Sequence, residues 1–224
     1  MEEELQELEY YFVAFIDILG FSNMVKSDIE SPALRGKYAN KLYEVHKRTI
    51  ELNDTGIQLQ VVQFSDSIVL STEFNKINFI EFLNKIGKYQ FDLFNEGILS
   101  RGGIAFGKHF YKEGFMFSLG LIEAYKIESS VARYPRIIVS NDLIDIVTTG
   151  TELFTELPIK TENDGLYFVD YFKFLDQDKL SDYQEFIQTN IRAQNSSVKE
   201  KYIWLADYLK HKFPDTPLIT NRFS

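Results

Sequence analysis

The chain has 224 residues, 45% of them hydrophobic, and a formal net charge of -9. This length and apolar content allow one substantial core, and 20 Phe and 13 Tyr are too many aromatic residues for a disordered chain. The negative charge disfavours nonspecific binding to nucleic acid, which needs a basic surface, so we expect no nucleic-acid partner. Because the sequence contains no Cys, it excludes disulfides, thiolate metal sites and thiol nucleophiles.

The N-terminal sequence is acidic at Met1-Glu2-Glu3-Glu4, where a secretory signal peptide would be basic. No apolar run approaches the roughly 20 residues that a membrane-spanning helix needs. We therefore expect a cytoplasmic protein without a membrane partner.

Hydrophobic periodicity predicts alternating strands and helices in the first half of the chain. The predicted order is a strand at residues 10–18, a helix at 33–52, strands at 57–64 and 67–71, a helix at 77–98 and a strand at 102–106. This βαββαβ order predicts an α+β fold with a ferredoxin-like core, in which strands one and three lie side by side in an antiparallel sheet.

The second half predicts shorter elements around this core. We expect a helix at 120–129, a strand at 136–140, a helix at 142–147 capped by Asn141, and a hairpin turn at 163–165. Helical periodicity resumes at Ser181, and residues 197–200 fit a capping box for a last helix that ends at His211. We therefore predict one core domain over residues 1–180, with a C-terminal helical extension over residues 181–224 packed on it.

Two acids stand at the ends of apolar strands. Asp17 lies within Phe15-Ile16-Asp17-Ile18-Leu19-Gly20-Phe21, and Asp66 lies at a tight corner between two predicted strands. In the predicted topology both acids reach the same edge of the sheet. Oxygen ligands suit Mg²⁺, so the pair indicates metal-assisted phosphoryl chemistry on a nucleoside triphosphate. Either acid alone could instead be a helix cap or a turn former.

Three segments resemble the class III nucleotidyl cyclases. Residues 15–22 are similar to their first metal motif, F-x-D-I-x-G-F-S/T, at every fixed position. Ser65-Asp66 resembles their Gly-Asp hairpin with the Gly changed, and residues 101–107 resemble their R-x-G-I-x-x-G segment. The similarity extends over roughly residues 10 to 140.

The resemblance implies a catalytic mechanism with two metal ions in a homodimer. Asp17, Asp66 and the carbonyl of Ile18 would hold two Mg²⁺ or Mn²⁺ ions per active site, and each composite site would combine residues of both subunits. Lys126 would stabilise the transition state beside the two catalytic acids. The candidate contacts to the nucleoside triphosphate substrate are Phe21, Val62, Arg101, Lys108, Arg133 and Arg136.

Departures from the family pattern indicate the substrate. Val62 stands where purine cyclases carry a base-binding Lys, while Lys126 and Ile122 replace an Arg and an Asn. With residues 120–129 and 133–137, these features resemble the bacterial pyrimidine cyclases of Pycsar anti-phage defence. Such enzymes make cyclic UMP or cyclic CMP, which activates a downstream effector, and we favour UTP over CTP as the substrate.

The sequence leaves several alternatives open. A degenerate cyclase fold could serve as a nucleotide-binding regulatory module, which the missing Asn at position 122 favours and the two retained acids oppose. A purine cyclase is a further alternative. A palm-type polymerase or a GGDEF-like cyclase is disfavoured because the Gly-Gly-Asp-Glu-Phe signature is absent. Lys126 could be a surface residue, and Arg133 and Arg136 could belong to a solvated loop.

Overall fold

The computed structural model describes residues 7–51, 56–150, 153–192, 195–215 and 217. The chain divides into two compact units, Met1–Asp170 and Tyr171–Ser224. The predicted boundary after residue 180 therefore lies inside the second unit, and the packing of the extension on the core stays a prediction. None of the described helices is long and apolar enough to cross a membrane.

The first unit contains a mixed sheet with helices. Its strands are β1 (Glu9–Ile18), β2 (Gln60–Phe64), β3 (Ser67–Glu73), β4 (Ser100–Lys112), β5 (Phe115–Ser118), β6 (Ile137–Val139), β7 (Ile159–Thr161) and β8 (Tyr167–Val169). Its helices are α1 (Phe21–Glu30), α2 (Lys37–Glu51), α3 (Phe79–Asn95), α4 (Leu119–Ser130) and α5 (Asn141–Thr148). The strand order is β2-β3-β1-β4-β6-β8-β7, and β5 pairs with β4. The α+β fold with a βαββαβ core is confirmed.

Strand β1 is central because it pairs on both sides. It runs antiparallel to β3, with Asp17 opposite Ser67, and antiparallel to β4, with Asp17 opposite Arg101. Paired residues of neighbouring strands share a face of the sheet. The end of β1 therefore lies between the β2–β3 hairpin and the start of β4.

One face of the sheet forms the main core. Alternate β1 residues, Phe12, Ala14, Ile16 and Ile18, are buried there together with apolar residues of α3 and α5. The period of two along β1 buries one set of side chains on this face. The other set, which includes Asp17, faces the side on which α4 packs.

Helix α4 lies directly on the backbone of β4. A Cβ atom at Gly103 would be 2.3 Å from the carbonyl oxygen of Ala124, and one at Gly107 would be 2.7 Å from the amide nitrogen of Gly120. Such distances leave no room for a side chain at either position. The glycines of residues 101–107 thus allow the helix backbone to contact the strand.

Several predictions about local structure were wrong. The predicted helix at 33–52 begins later, because residues 32–36 form turns and α2 starts only at Lys37. Strand β5 was missed, because its four residues are too short for a periodic signal. The cap of α5 is Ser140, not Asn141, because the Ser140 hydroxyl accepts from the amide of Leu143.

The second unit contains helices α6 (Leu180–Ile191) and α7 (Ser196–Lys212). The predicted capping box at 197–200 is wrong, because the side chain of Asn195 accepts from the amides of Ser197 and Val198 and caps α7. Aromatic rings pack within the unit: Phe172 stacks on Tyr208 with ring centres 4.3 Å apart, and Trp204 lies 5.3 Å from the same ring.

Candidate functional site

The structure brings the two strand-end acids together. Asp17 is the next-to-last residue of β1, and Asp66 lies in the turn that joins β2 to β3. The backbone amide of Ile18 donates a hydrogen bond of 2.9 Å to the carbonyl of Asp66, which ties the turn to the end of β1. The adjacency follows the predicted topology, whereas a role of Asp17, Ile18 and Asp66 in metal binding stays a prediction.

The turn before Asp66 is conformationally unusual. Ser65 has a φ of 57°, in the left-handed region that residues with a side chain rarely occupy. Only two residues, Ser65 and Asp66, separate Phe64 from Ser67, which pair across the hairpin. The family pattern has Gly at this position, and the backbone explains that preference because Gly adopts positive φ without steric cost.

Arg101 connects Asp17 to helix α4. Its Nε donates to Asp17 Oδ2 at 3.2 Å, its Nη1 donates to the carbonyl of Ala132 at 3.1 Å, and its Nη2 lies 2.7 Å from Glu128 Oε1. The guanidinium therefore bridges two carboxylates and the chain just beyond α4. Arg101 was predicted to bind substrate, a role that stays a prediction; here it contacts a candidate metal ligand.

Glu128 is a buried acid, with 4% of its surface exposed. Burial raises the pKa of Glu128, the Arg101 guanidinium lowers it, and the negative charges of Asp17 and Asp66 raise it again, so that the net shift is upward. Both Asp residues thus lie close enough to Glu128 for their charges to act on it. The edge of the sheet thus carries three carboxylates, of which Asp17 and Glu128 contact the Arg101 guanidinium.

An open groove adjoins the hairpin on the side of α1 and α2. Its lining residues are Phe21, Ala39, Leu42, Tyr43, His46, Gln63 and Ser65. Phe21 also packs against the main core. Val62, the position expected to contact the base, lies on β2 opposite Val69 and is half-buried.

Helix α1 begins beside the two acids. Gly20 precedes it with a φ of 79°, no side chain caps its N-terminus, and its first turn contains no acidic residue. The N-terminus of a helix carries partial positive charge and amide donors. The start of α1 can therefore accept an anionic group next to Asp17.

Lys126 and Arg133 are exposed. The Lys126 ammonium pairs with Glu123 on the same helix at 2.8 Å. Because residues two apart on a helix point about 200° apart, Lys126 projects away from the side of α4 on which Glu128 meets Arg101. Arg133 follows Ala132, whose carbonyl accepts from Arg101, so its backbone adjoins the Arg101 network.

Lys108 lies away from the two acids, whereas Arg136 adjoins Arg101 through its backbone, because its carbonyl accepts from the amide of Gly102 at 3.1 Å. Lys108 pairs with Tyr10 in the register of β1 and β4, seven residues from Arg101 and about 23 Å along the strand. Its ammonium donates to the carbonyl of Leu8 at 2.7 Å. Arg136 is only 2% exposed and forms ion pairs with Glu162 and Asp164. Substrate contacts by Lys108 and Arg136 stay predictions, and the ion pairs of Arg136 favour a structural role.

Glu128 was not among the residues predicted to act in the site. Gly120, Ala124 and Glu128 are the buried residues of α4, and their spacing of four places them on one face of the helix. The pattern that could have identified Glu128 is its position four residues after Ala124, where it continues a row of small residues on one face of the helix. The groove residues Tyr43 and His46 carried no such signal.

The donor set fits a hard divalent cation. Asp17, Asp66 and the carbonyl of Ile18 supply oxygen atoms only, and Mg²⁺ commonly takes one or two protein carboxylates together with water and phosphate oxygens. Across residues 7–51, 56–150, 153–192 and 195–215, no cluster of three or more His, Asp or Glu side chains could hold a metal by itself. A site in which a bound triphosphate supplies the remaining oxygen ligands agrees both with the oxygen donors and with the lack of such a cluster in the described residues.

No protein-family model matches this chain, and comparison with curated proteins gave no match. Among solved structures, adenylyl cyclase CyaB from P. aeruginosa is 15% identical, with a TM-score of 0.51 over 74% of this chain and 96% of that protein. The chain has the class III nucleotidyl cyclase fold. At this identity the likeness establishes the fold alone.

Two further structures are similar with lower scores. An adenylate/guanylate cyclase/hydrolase from Silicibacter pomeroyi is 17% identical, with a TM-score of 0.47 over 73% of this chain and 98% of that one. The catalytic core of a rhodopsin-guanylyl cyclase is 13% identical, with a TM-score of 0.48 over 74% of this chain and 98% of that one.

Replacing Ser65 by Gly should stabilise the protein. The left-handed conformation costs a residue with a Cβ atom roughly 1–2 kcal/mol, and the greater freedom of Gly in the unfolded chain offsets part of the gain. We expect the free energy of unfolding of Ser65→Gly to rise by about 0.5–1 kcal/mol in urea titrations. Ser67→Gly, in the extended strand that follows, should instead lower it. Equal losses in both variants would contradict this account of the turn.

Lowering the pH should weaken the ion pair between Arg136 and Asp164 of the β7–β8 hairpin. Burial raises the pKa of Asp164, but hydrogen bonds from Arg136 and the Leu166 amide lower it more, so it lies below its ordinary value of 3.8. The resulting stability is present above pH 3.8 and is lost as the pH falls through the folded-state pKa. Urea midpoints between about pH 2.5 and 6 should fall less steeply for Asp164→Asn than for the wild type. The exposed Asp145→Asn should behave as the wild type, and identical slopes for all three would refute the assignment.

Proposed function

We propose that this protein is a nucleotidyl cyclase, which converts a nucleoside triphosphate into a 3',5'-cyclic nucleotide and pyrophosphate. The observation that carries the proposal is the placement of Asp17 and Asp66 at one edge of the sheet in a class III cyclase fold. In the reaction, the ribose 3'-oxygen bonds to the α-phosphorus and the bond to the β-phosphate bridging oxygen breaks. The hydroxyl proton passes to solvent, and pyrophosphate leaves.

Asp17, Asp66 and the Ile18 carbonyl would hold two Mg²⁺ or Mn²⁺ ions. When bound, these ions would lower the pKa of the 3'-hydroxyl and neutralise the triphosphate and the leaving pyrophosphate. The protein's own contribution is to hold one carboxylate at the end of β1 and the other in the adjoining β2–β3 turn. Arg101 supports this arrangement because its Nε contacts Asp17 at 3.2 Å.

Two features support binding of a triphosphate at this edge. The first turn of α1 presents an uncapped N-terminus without acidic residues, next to Asp17 and beside Phe21. Arg133 is exposed in the loop that follows Ala132, and its long side chain can reach an anion at the same edge. The Arg133 guanidinium and the first amides of α1 would then contact the phosphates on the side away from the two acids.

A homodimer with composite sites would complete the active centre. Lys126 points away from the side of α4 that contacts Arg101, so it can act on a transition state only when a second chain presents its own acids. The α4 side of the unit also exposes apolar side chains: Phe64 is 80% exposed, Ile122 51% and Tyr125 52%. Exposed aromatic and aliphatic residues of this kind are typical of protein–protein contacts.

We infer a pyrimidine substrate, with UTP favoured over CTP. Val62 cannot donate a hydrogen bond where purine cyclases have a Lys, so adenine would lose that contact. The resemblance of residues 120–129 and 133–137 to Pycsar cyclases supports a role in anti-phage defence, in which the cyclic nucleotide activates a separate effector. A purine cyclase is the alternative within the same reaction class.

A regulatory nucleotide-binding module is the second candidate. Ile122 cannot supply the hydrogen bonds of the family Asn, and its side chain is half exposed on α4. Lys126 is engaged by Glu123. Such a module would bind a nucleoside triphosphate without turnover.

Incubation of the purified full-length chain with Mn²⁺ and each of ATP, GTP, CTP and UTP, followed by mass analysis, separates these candidates. Cyclic UMP or cyclic CMP supports the pyrimidine proposal, whereas cyclic AMP or cyclic GMP assigns the purine alternative. Absence of any cyclic product from a dimeric, nucleotide-binding protein overturns the cyclase proposal in favour of the module.

Loss of either acid should abolish turnover without unfolding the protein. We expect Asp17→Asn and Asp66→Asn to lower kcat by at least about 100-fold, because metal ions supply several kcal/mol of charge stabilisation in such transition states. Initial rates with the accepted nucleotide measure the effect, and far-UV circular dichroism monitors the fold. Asp145→Asn, exposed on α5, is the control expected to retain activity. Full activity in either acid variant would refute the metal assignment.

Composite sites predict complementation between two inactive variants. Asp17→Asn retains Lys126, and Lys126→Ala retains both acids. A mixed dimer would therefore contain one intact site, and an equal mixture should recover up to about a quarter of wild-type activity if subunits exchange freely. Co-expression with two affinity tags isolates the mixed dimer. No recovery in that dimer would contradict a composite site in which Lys126 acts with the acids of the other subunit.

A further inference from the structure

Arg101 lies between two carboxylates that differ in exposure. Asp17 stands at the edge of the sheet with about a fifth of its side chain exposed (22%), whereas the Glu128 side chain is 4% exposed. Nε of Arg101 contacts Asp17 Oδ2, and Nη2 contacts Glu128 Oε1. The third nitrogen donates to the carbonyl of Ala132. All three nitrogens are thus engaged, and the guanidinium has one fixed orientation.

The fixed orientation leaves part of Asp17 available. Only Oδ2 of Asp17 accepts from Arg101, and the structure gives Oδ1 no partner among the described residues. The bond comes from Nε alone, so Arg101 does not make the two-pronged contact that would occupy both carboxylate oxygens. A cation can approach Asp17 from the free side while Arg101 fixes the rotamer.

Glu128 accounts for this one-pronged contact. The terminal nitrogens, which would otherwise pair with both oxygens of Asp17, point to Glu128 and Ala132 instead. Glu128 is held in place by the close contact of α4 with β4, in which Gly103 contributes no side chain and so lets Ala124 and Ile127 of the helix reach the strand. The small residues Gly120 and Ala124 lie on the same buried face of the helix.

We propose that Glu128 is a positioning residue that draws Arg101 away from Asp17 and thereby sets the affinity of the acid pair for a divalent cation. The inference rests on the proposed function, since it assumes that Asp17 and Asp66 bind the cation. Glu128 does not touch the ion or the substrate. It acts through Arg101 alone.

Neutralising Glu128 should weaken metal binding for two reasons. Arg101 would retain Asp17 as its only carboxylate partner and would compete with the cation for both oxygens. The charge of the cluster would also change from three carboxylates and one guanidinium to two carboxylates and one guanidinium, which reduces the attraction for a divalent ion. Loss of outer partners of metal ligands typically weakens metal affinity by about 10- to 100-fold.

Mn²⁺ titration followed by electron paramagnetic resonance tests the proposal without any turnover. The full-length wild type, Glu128→Gln and Glu123→Gln are compared, because Glu123 lies on the same helix but pairs at the surface with Lys126. We expect Glu128→Gln to raise the Kd for Mn²⁺ by about 10-fold or more and Glu123→Gln to leave it unchanged. Equal Kd values for the wild type and Glu128→Gln would overturn the positioning role.

A rescue experiment separates positioning from general support of the fold. In the double variant Glu128→Gln/Arg101→Gln no guanidinium competes for Asp17, so the Kd for Mn²⁺ should return at least to the wild-type value. Weak binding that persists in the folded double variant would assign Glu128 a merely structural role.

If circular dichroism shows that Glu128→Gln does not fold, Glu128→Asp replaces it. We then expect a several-fold higher Kd for Mn²⁺, and an unchanged Kd would contradict the proposal.

The same titration separates failure of the metal site from failure of the positioning role alone. If the wild type binds Mn²⁺ and the variants follow the expected order, both stand. If the wild type binds Mn²⁺ and Glu128→Gln binds it equally, only the positioning role fails. If the folded wild type binds no Mn²⁺ with or without nucleotide, the metal site fails and the positioning role fails with it.

Discussion

The antiparallel pairing of β1 with both of its neighbours is the constraint on which the site depends. It places Asp17 opposite Ser67 on one side and opposite Arg101 on the other. Because side chains alternate along a strand, a shift by one residue would turn Asp17 into the apolar core and bring Ile16 or Ile18 to the face of α4. The burial of Phe12, Ala14, Ile16 and Ile18 therefore fixes the register and, through it, the orientation of the acid.

The electrostatics of the edge follow from this register. Three carboxylates influence one another there and two of them contact the Arg101 guanidinium, which leaves an excess of negative charge in a protein whose formal net charge is already -9. Such an arrangement is unfavourable for Glu128, whose pKa is raised, and it becomes favourable when cations arrive. The stability of the edge and its capacity to bind cations are thus coupled through the same charges.

Topology and the acid pair could be predicted from the sequence because both depend on local patterns. The period of two in β1, the turn at Ser65-Asp66 and the long apolar helix at residues 79–95 each carry a signal within a short window. The contact of Arg101 with Glu128 joins residues that are distant in the chain, and it depends on how closely α4 approaches β4. The same limit applies to Arg136: its charge suggested a surface position, whereas two acids of the β7–β8 hairpin neutralise it in a buried one. The predicted caps of α5 and α7 were wrong because neighbouring polar residues favour the N-cap position about equally, and the structure uses Ser140 and Asn195.

The backbone contact between α4 and β4 has a mechanical consequence. In most helix–sheet packings, side chains lie between the two backbones and can change rotamer to absorb a small displacement. Here Gly103 and Gly107 contribute no side chain to that layer, so the backbone of the helix meets the strand at Ala124 and Gly120. A contact that shifts α4 from its exposed side, where Leu119 and Ile122 lie, would therefore also shift β4, which carries Arg101.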